Sequence, residues 1–440
     1  MSVARESRGH LLHILGVSFG IAVAVGGMIG AGILRTPSLI AADVPDARLI
    51  LALWAVGAIH AALEANVVSE LSTAMPRAGG FYVYAHRAFG DVGGLVVGWT
   101  TWIARLASSA ALSVAFADFL VLLWPGAAHF TAAVSVVMLL AMFGLNMIGL
   151  REGRTFQQAT SLLKALALAA FCVVAFFIAK PTAASSAAAL PMAGWAGAIA
   201  AYQLIVGAYA GWFEPAFFAE ENTQPSRNVP RAMFIGLAIA ATLYLAINAA
   251  LLHALGVAGL GHGVLPYATI LSRAVGGTAG TLFAIGALVI VASCANAGIM
   301  SSPRVLFALS RDGLLPAVFR NVNAGGSPYV AFMLTAGCAI VLALSGSFGL
   351  LFGLIGTLGT AAFVLTIASI FVLRRREPQL ARPFRAFGYP LLPAFVLAAD
   401  IALLVLFLNA NWWGAFTAAV MWLACIPFAY VARRAKRLLS

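Results

Sequence analysis

The sequence predicts an all-α membrane protein with about 12 transmembrane helices. Hydrophobic residues make up 62% of the 440 residues and charged residues only 9%, whereas a soluble protein is about one quarter charged. Apolar segments of about 20 residues, long enough to cross a bilayer, recur along the whole chain with short connections between them. Residues 1–440 are therefore predicted to form a single transmembrane domain without a separate soluble unit.

The apolar segments give approximate bounds for the individual spans. In chain order the predicted spans are 11–40, 49–73, 92–123, 130–149, 161–180, 195–219, 232–256, 278–301, 328–346, 349–373, 391–409 and 412–432. The first segment is too long for the apolar region of a signal peptide, and no small-residue cleavage site follows near its end. It is predicted to be the first span.

Positive charges are distributed unevenly between the two predicted sides of the membrane. The chain has 26 Lys and Arg against 14 Asp and Glu, which gives a net charge of +12. Counted from a cytoplasmic amino terminus, only Arg48, Lys180 and Arg273 fall in outer connections. This positive-inside pattern predicts a multi-pass protein of the cell (inner) membrane with both termini in the cytoplasm. It accounts for the basic charge without a nucleic-acid partner.

Clusters of small residues interrupt two spans, at residues 26–32 in span 1 and 207–211 in span 6. A helix break in a bilayer leaves backbone groups unpaired at several kcal/mol each, so it persists only where it is buried or lines a cavity. Two breaks at corresponding positions predict inverted halves that share one site near the midplane. The halves are spans 1–5 (11–180) and spans 6–10 (195–373), with spans 11 and 12 (391–432) as an appendage.

Four stretches carry recognisable motifs, of which Gly-Ala-Gly-Ile-Leu at 30–34 and Ala-Tyr-Ala-Gly-Trp at 208–212 contain the breaks. The others are Pro-Arg-Ala-Gly-Gly-Phe-Tyr at 76–82 and the run from 304 to 316. In order and spacing they resemble the amino acid–polyamine–organocation superfamily, and most closely its L-type amino acid transporter branch. The resemblance implies a LeuT-type fold, with five plus five inverted spans and broken helices 1 and 6, and amino acid transport by alternating access.

The two breaks are predicted to bind the two charged groups of an amino acid. A helix that restarts near Gly32 presents free N–H groups and a positive dipole end, which suit a carboxylate. A helix that ends near Gly207 presents free carbonyls, which suit an ammonium group. The predicted amide donors are those of Ala31, Gly32 and Ile33, and the predicted carbonyl acceptors are those of Gly207, Ala208 and Ala210. The whole predicted substrate site comprises Met28, Ile29, Gly30, Ala31, Gly32, Ile33, Gly207, Ala208, Tyr209, Ala210, Gly211 and Trp212.

Two positions of this site depart from the family pattern. Ala31 stands where relatives often have Ser or Thr, so a hydroxyl contact to the carboxylate is missing. Gly207 stands where relatives carry an aromatic gate, which leaves room for a larger pocket. Tyr202 and Tyr209 are the candidate replacements for that ring.

Ionisable residues inside spans are functional candidates by default. Lys164 in span 5 matches a Lys that relatives place where sodium-coupled members bind sodium, which implies sodium-independent transport and a coupling role. Its alternative is snorkelling to the membrane surface. Glu214, just past the second break, is the other coupling candidate, or it orders the helix.

Four further ionisable residues have open roles. His60 and Glu64 share one face of span 2 as a satisfied pair or a proton relay. Arg105 is predicted to pair inside the bundle, with Glu64 or Asp118 as partners. Asp400 in span 11 lies outside the ten-span core and is predicted to be peripheral.

The predicted function is that of a non-enzymatic permease for mainly neutral L-amino acids, proton-coupled or exchanging, without metal or cofactor. Its partners are the amino acid and membrane lipid, and no disulfide-linked subunit is expected because no cysteine falls in an outer loop. The nearest alternative is an antiporter of cationic amino acids or polyamines with Glu214 as counter-charge. A membrane-embedded enzyme or a non-transporting sensor is disfavoured, because the seven His show no ligand spacing.

Overall fold

The computed structural model describes residues 11–178, 194–262, 266–345 and 348–410, together with 416, 419, 420, 422 and 423. Within these residues every regular element is helical. The α-helices, numbered α1–α14 in chain order, are Val17–Met28, Ala31–Asp43, Ala47–Ala74, Phe81–Leu123, Thr131–Ile148, Leu150–Val173, Gly194–Tyr209, Glu214–Phe217, Pro225–Gly261, Pro266–Val275, Ala279–Arg311, Tyr329–Leu344, Phe348–Arg376 and Leu391–Ala410.

The helices are long and apolar enough to form a polytopic membrane bundle. By length and composition, 8 helices of the described chain qualify as spans, or 9 if the bent pair α1 and α2 counts as one. Two shorter apolar helices, Gly197–Tyr209 and Tyr329–Leu344, cover predicted spans 6 and 9. Predicted span 12 (412–432) lies mostly outside the described residues, so the number of twelve spans stays a prediction.

Two long helices are each divided by a glycine. Gly90 in α4 has φ 75° and Gly256 in α9 has φ 66°, a left-handed conformation that glycine adopts without steric penalty. The kinks fall close to predicted boundaries, at the start of span 3 (92–123) and at the end of span 7 (232–256). The chain therefore changes direction where the apolar segments begin or end.

The predicted break in span 1 is present. Helix α1 ends at Met28 and α2 begins at Ala31, with an angle of 41° between them. Ile29 and Gly30 between the two helices are extended. Span 1 thus has a carboxyl-terminal and an amino-terminal helix end at the same depth.

The break in span 6 begins later than predicted. Helix α7 continues through Gly207 to Tyr209, and the chain then turns before the short helix α8 begins at Glu214. Gly211 in the turn has φ 129°. The predicted break at 207–211 is present, but within it the helix ends at Tyr209, two residues after Gly207, because one glycine with helical φ and ψ does not stop a helix. The turn contains Gly211, whose positive φ glycine adopts without steric penalty.

Helix packing brings both breaks to the centre of the bundle. Helix α4 packs against α5, α11, α12 and α13, and α9 packs against α1, α2 and α3. Helix α1 also contacts α6, α8 and α11, while α7 packs on α2 and α3. Each break is therefore enclosed by unbroken helices, as a low-dielectric environment requires.

Candidate functional site

The two breaks contact each other through their backbones. A Cβ atom added to Gly211 would lie 2.4 Å from the carbonyl carbon of Gly27 and 2.6 Å from the nitrogen of Met28. A Cβ added to Gly27 would lie 3.1 Å from the Cα of Gly211. The small residues at these positions thus permit a contact between spans that no larger side chain allows.

A cavity of about 160 Å³ lies beside this contact. Its wall includes Gly27 from the first break and Gly207, Ala210 and Gly211 from the second. Further residues from α7, from the turn after it and from α8, together with helices α3, α4, α11, α13 and α14, complete the wall, which is mainly apolar. The cavity is the candidate substrate site, because a concave, mostly apolar space with a few polar groups is typical of small-molecule binding.

Only part of the predicted substrate site lines this cavity. The predicted residues in its wall are Gly207, Ala210, Gly211, Trp212 and the coupling candidate Glu214. Ala208 and Tyr209 are buried outside the wall, and so are residues 28–33, apart from the half-buried Gly32. The amides at the start of α2 have no intrahelical acceptors, and their use by a carboxylate stays a prediction.

Lys164, on helix α6, binds the backbone of the first break. Its Nζ atom donates hydrogen bonds to the carbonyls of Gly26 at 2.8 Å and Ile29 at 2.6 Å. The residue is only 1% exposed, so snorkelling to the surface is wrong. Its positive charge lies at the carboxyl-terminal end of α1, where the helix dipole favours a cation.

Two other side chains contact carbonyls of the breaks. The Cys294 thiol donates to the carbonyl of Gly27 at 3.2 Å. The Tyr244 hydroxyl lies 2.6 Å from the carbonyl oxygen of Met28 and 3.0 Å from that of Ala208, so it bridges the two breaks. With Lys164, these groups satisfy the carbonyls that the end of α1 leaves unpaired. Neither Cys294 nor Tyr244 was predicted, because nothing in the local sequence places them opposite the breaks.

Arg105 and Glu214 form a buried ion pair in the cavity wall. Arg105 Nη1 donates to Glu214 Oε1 at 2.7 Å and to Ser301 Oγ at 2.5 Å. The side chains are 8% and 6% exposed, and the guanidinium carbon lies 4.0 Å from the ring centroid of Phe217. Among the described residues, Nε and Nη2 of Arg105 and Oε2 of Glu214 have no hydrogen-bond partner. Both residues line the cavity.

The partners predicted for Arg105 are wrong. Asp118 pairs instead with Arg35 at 3.0 Å, and Glu64 belongs to a separate cluster with His60. Glu214 is the first residue of α8 after the turn, and its side chain reaches Arg105 on α4. The sequence predicted the break at 207–211 and placed Glu214 just past it, but it did not predict Arg105 as the partner of Glu214.

Removing one member of the Arg105–Glu214 pair is expected to destabilise the protein strongly. Breaking a buried pair leaves an uncompensated charge and costs about 3–5 kcal/mol, whereas replacing both members with apolar residues is often neutral. We therefore expect Arg105→Met and Glu214→Leu each to lower the unfolding free energy, and the double variant to lose less than the sum. Denaturation of the purified proteins in detergent measures this, and strictly additive losses would contradict an interaction between the two.

Aromatic rings form one side of the cavity. Phe363 lies 4.9 Å from Phe81, 5.2 Å from Phe213 and 5.8 Å from Trp212, measured between ring centroids. All four residues line the cavity. Of these, only Trp212 was predicted, since the others lie on spans without a break or beyond the second one.

The two tyrosines predicted as gate replacements lie elsewhere. Tyr209 donates its hydroxyl to the carbonyl of Trp54 at 3.1 Å. The Tyr202 hydroxyl lies 2.9 Å from Nδ1 of His60. Neither ring is part of the cavity wall.

His60, Glu64 and Asp400 form a buried cluster between α3 and α14. His60 Nε2 lies 3.2 Å from Oδ1 of Asp400, and one imidazole or carboxylate atom from each residue lies within 4.8 Å of the other two. Glu64 and Asp400 line the cavity. The prediction that Asp400 is peripheral is wrong: the residue is 2% exposed and contacts span 2. The only signal in the sequence was an acidic residue inside an apolar span.

Ion pairs connect segments that the positive-inside pattern assigns to the cytoplasm. The pairs are Arg304–Glu221 at 2.6 Å, Arg311–Glu220 at 2.6 Å, Arg374–Glu70 at 2.5 Å and Arg77–Asp312 at 3.1 Å. Arg304 and Glu221 are 1% and 0% exposed, so this pair fixes α11 to the segment after α8. Beyond α13, hydrogen bonds from Arg87 lower the pKa of the Glu377 carboxyl below its ordinary value.

Comparison with known proteins finds a family model and several relatives that match most of the chain. A family model described as amino acid permease matches residues 15–431. The serine/threonine exchanger SteT of Bacillus subtilis (strain 168) is 25% identical over 429 residues, which cover 96% of this chain and 97% of the relative. The branched-chain amino acid permease BcaP of the same organism is 27% identical over 418 residues, covering 89% and 86%. The large neutral amino acids transporter small subunit 2 of Mus musculus is 25% identical over 399 residues, covering 84% and 72%.

Proposed function

The chain belongs to the amino acid permease family of the amino acid–polyamine–organocation superfamily, and on this premise we propose that it is a secondary active transporter of L-amino acids, mainly neutral ones. The observation that carries the proposal is the central cavity, whose wall contains backbone from both broken spans. The two relatives from Bacillus subtilis reported above, which span most of the chain, are an amino acid exchanger and an amino acid permease by name, which argues against an enzyme. We propose the cell (inner) membrane as its location, with both termini in the cytoplasm.

The proposed binding mode uses backbone groups of the two breaks. The substrate carboxylate would accept hydrogen bonds from the first-turn amides of α2, at Ala31, Gly32 and Ile33, where the helix dipole favours an anion. These residues lie outside the cavity wall, so this binding mode requires the cavity to extend past Gly27 to the start of α2 when the substrate binds. The ammonium group would donate to the carbonyls of Gly207 and Ala210, which line the cavity. The Gly207 carbonyl already accepts the Ala210 N–H at 3.2 Å but retains a second lone pair.

Transport would proceed by alternating access around this site. In the proposed LeuT-type arrangement, spans 1–5 and 6–10 are inverted repeats, and the bundle that carries the broken helices rocks against the remaining helices. The buried Arg304–Glu221 pair links α11 to the segment after the second break. It is therefore suited to hold the cytoplasmic side closed in one state of the cycle.

Lys164 supports transport without sodium. In transporters with broken helices, unwound backbone carbonyls coordinate the coupling sodium ion. Here the Lys164 ammonium occupies the carbonyls of Gly26 and Ile29. A sodium ion would have to compete with a covalently tethered cation, so proton coupling or exchange is proposed instead.

The alternative of a cationic substrate is less well supported. In that alternative, Glu214 is the counter-charge for the substrate cation. The charge of Glu214 is already balanced by Arg105, whose Nη1 lies 2.7 Å from Oε1 of Glu214. A substrate cation would have to displace a buried guanidinium that also donates to Ser301. Neutral side chains are therefore proposed as the main substrates.

Exchange in proteoliposomes tests the proposed function. Vesicles loaded with unlabelled leucine, serine or threonine are expected to take up the same labelled amino acid at least about tenfold faster than protein-free vesicles, because unaided crossing exposes charged groups to the hydrocarbon core. Replacing external sodium with choline is expected to leave the rate unchanged, and excess leucine is expected to compete better than arginine. Uptake that requires sodium, or that only arginine inhibits, would contradict the proposal.

A further inference from the structure

The His60–Glu64–Asp400 cluster is not required by backbone recognition of an amino acid, yet it borders the same cavity. All three side chains are buried, with exposures of 6%, 6% and 2%. The cluster joins α3 to α14, and Tyr202 connects it to α7 through a contact of 2.9 Å to His60. Tyr202 precedes the second break by about two helical turns on the same helix.

The charges of this cluster do not balance if all its groups are ionised. Two carboxylates and one imidazolium would leave one uncompensated negative charge in the bundle interior, where desolvation makes such a charge costly. Two ionised carboxylates in one buried site repel each other, so ionisation of both at the same time is disfavoured. The cluster therefore favours binding a proton, and the Oδ2 atom of Asp400, which has no hydrogen-bond partner among the described residues, is an open acceptor.

The surrounding groups do not supply the missing positive charge. Helix α7 contributes the hydroxyl of Tyr202, and α13 contributes the hydroxyl of Thr360 to the cavity wall; neither group carries a positive charge. Arg105 lines the same cavity but is paired with Glu214. The sequence from 411 to 432 contains no acidic or basic residue. The described charges thus leave the cluster with more acidic than basic groups.

The hydrogen bonds of His60 are compatible with two protonation states. In a neutral ring, Nε2–H donates to Asp400 and Nδ1 accepts from the Tyr202 hydroxyl. In a charged ring, Nδ1–H donates to the Tyr202 oxygen and the bond to Asp400 becomes charge-assisted. A change of protonation therefore reverses the direction of the bond to α7 and strengthens the bond to α14.

We propose that His60, Glu64 and Asp400 form the proton-binding site that couples transport to a proton gradient. This inference rests on the proposed transport function and replaces the predicted coupling residues. Lys164 is committed to the carbonyls of the first break, and Glu214 is committed to Arg105. A change in the protonation of the cluster affects the second break through Tyr202. It affects the cavity directly, because Glu64 and Asp400 line it.

The test compares gradient-driven accumulation with exchange in the same proteoliposomes. The measured quantity is the ratio of labelled amino acid uptake with an inward pH gradient to uptake at equal pH, with proton entry recorded by an entrapped pH-sensitive dye. For the wild-type protein this ratio is expected to exceed one clearly, and proton entry is expected to accompany uptake. For Asp400→Asn and Glu64→Gln the ratio is expected to fall to one, with exchange still measurable. Asp118→Asn, a carboxylate exposed at 48% and outside the cavity, is the control that keeps the wild-type ratio.

The outcomes separate this inference from the proposed function. Absence of exchange by the wild-type protein with every amino acid contradicts the transport function itself. Exchange without stimulation by the pH gradient, or full stimulation in Asp400→Asn and Glu64→Gln, overturns the proton site. EDTA is present throughout. If the stimulation by the pH gradient is then absent and returns only when a divalent metal is added in excess, the proton site is also overturned. If one carboxylate variant does not fold, His60→Gln provides the same comparison.

Discussion

Replacing Gly211 with alanine is expected to abolish transport. The added methyl carbon would lie 2.4 Å from the carbonyl carbon of Gly27 and 2.6 Å from the nitrogen of Met28, and both are backbone atoms that cannot rotate away. Residue 211 also has φ 129°, a conformation that alanine adopts only with strain. The two breaks would have to move apart, which separates the backbone groups proposed to bind the substrate. Exchange in proteoliposomes measures the loss.

The other glycines provide a graded set of controls. Gly27→Ala would bring a methyl carbon to 3.1 Å from the Cα of Gly211, so an intermediate loss is expected. Gly144→Ala in α5 meets no atom within 4 Å and is expected to transport as the wild type does. Thermal stability with and without substrate distinguishes a displaced site from an unfolded protein, because a ligand stabilises only the state that binds it. Equal transport by Gly211→Ala and Gly144→Ala would contradict the proposed contact.

The sequence predicted the first break well because two independent signals coincide there. Residues 26–32 combine a dense cluster of small residues with a polar stretch directly after it, and the helix is interrupted at Ile29 and Gly30. In span 6 the small residues extend from Gly207 to Gly211, and composition alone does not show which of them adopts a positive φ. That choice is made by tertiary contact, because Gly211 is the residue that meets the first break.

The walls of the cavity were less predictable than the breaks. Phe363, Thr360 and Asp400 come from spans 10 and 11, which carry no break and no family motif. Their contribution depends on how α13 and α14 pack against α3 and α4, and a single sequence contains no record of that packing. Cys294 and Tyr244 illustrate the same limit. Each has an ordinary position in an apolar helix, and each contacts a break only after the helices have assembled.

Ionisable residues in the spans were correctly identified as important, but their partners were not. The predicted partners of Arg105 were Glu64 on the preceding helix and Asp118 on the same helix, and the observed partner is Glu214. Asp400 was assigned to the periphery because it lies outside the ten predicted core spans. The cost of a buried charge shows that a partner must exist, but it does not identify which one. Pairing across hundreds of residues is a property of the fold.

Replacing Lys164 with methionine is expected to lower both stability and transport. Methionine has a similar length, but it cannot donate hydrogen bonds to the carbonyls of Gly26 and Ile29. A buried polar group left without a partner costs about 1–3 kcal/mol, and the favourable charge at the end of α1 is also lost. Lys164→Arg retains donors and is expected to recover part of the stability. Lys180→Met, in a predicted outer connection, is the matched control.

The ratio of gradient-driven uptake to exchange then decides what Lys164 does. If Lys164 only holds the first break, Lys164→Met lowers both activities in the same proportion, and the stimulation by a pH gradient is unchanged. If Lys164 carries the coupled proton, stimulation is lost selectively while exchange continues. Because its ammonium bonds two carbonyls of the break at 2.8 and 2.6 Å, releasing a proton from it would weaken the break at each cycle. We therefore expect the proportional loss, and with it a separation between the lysine that fixes the break and the acidic cluster that binds the proton.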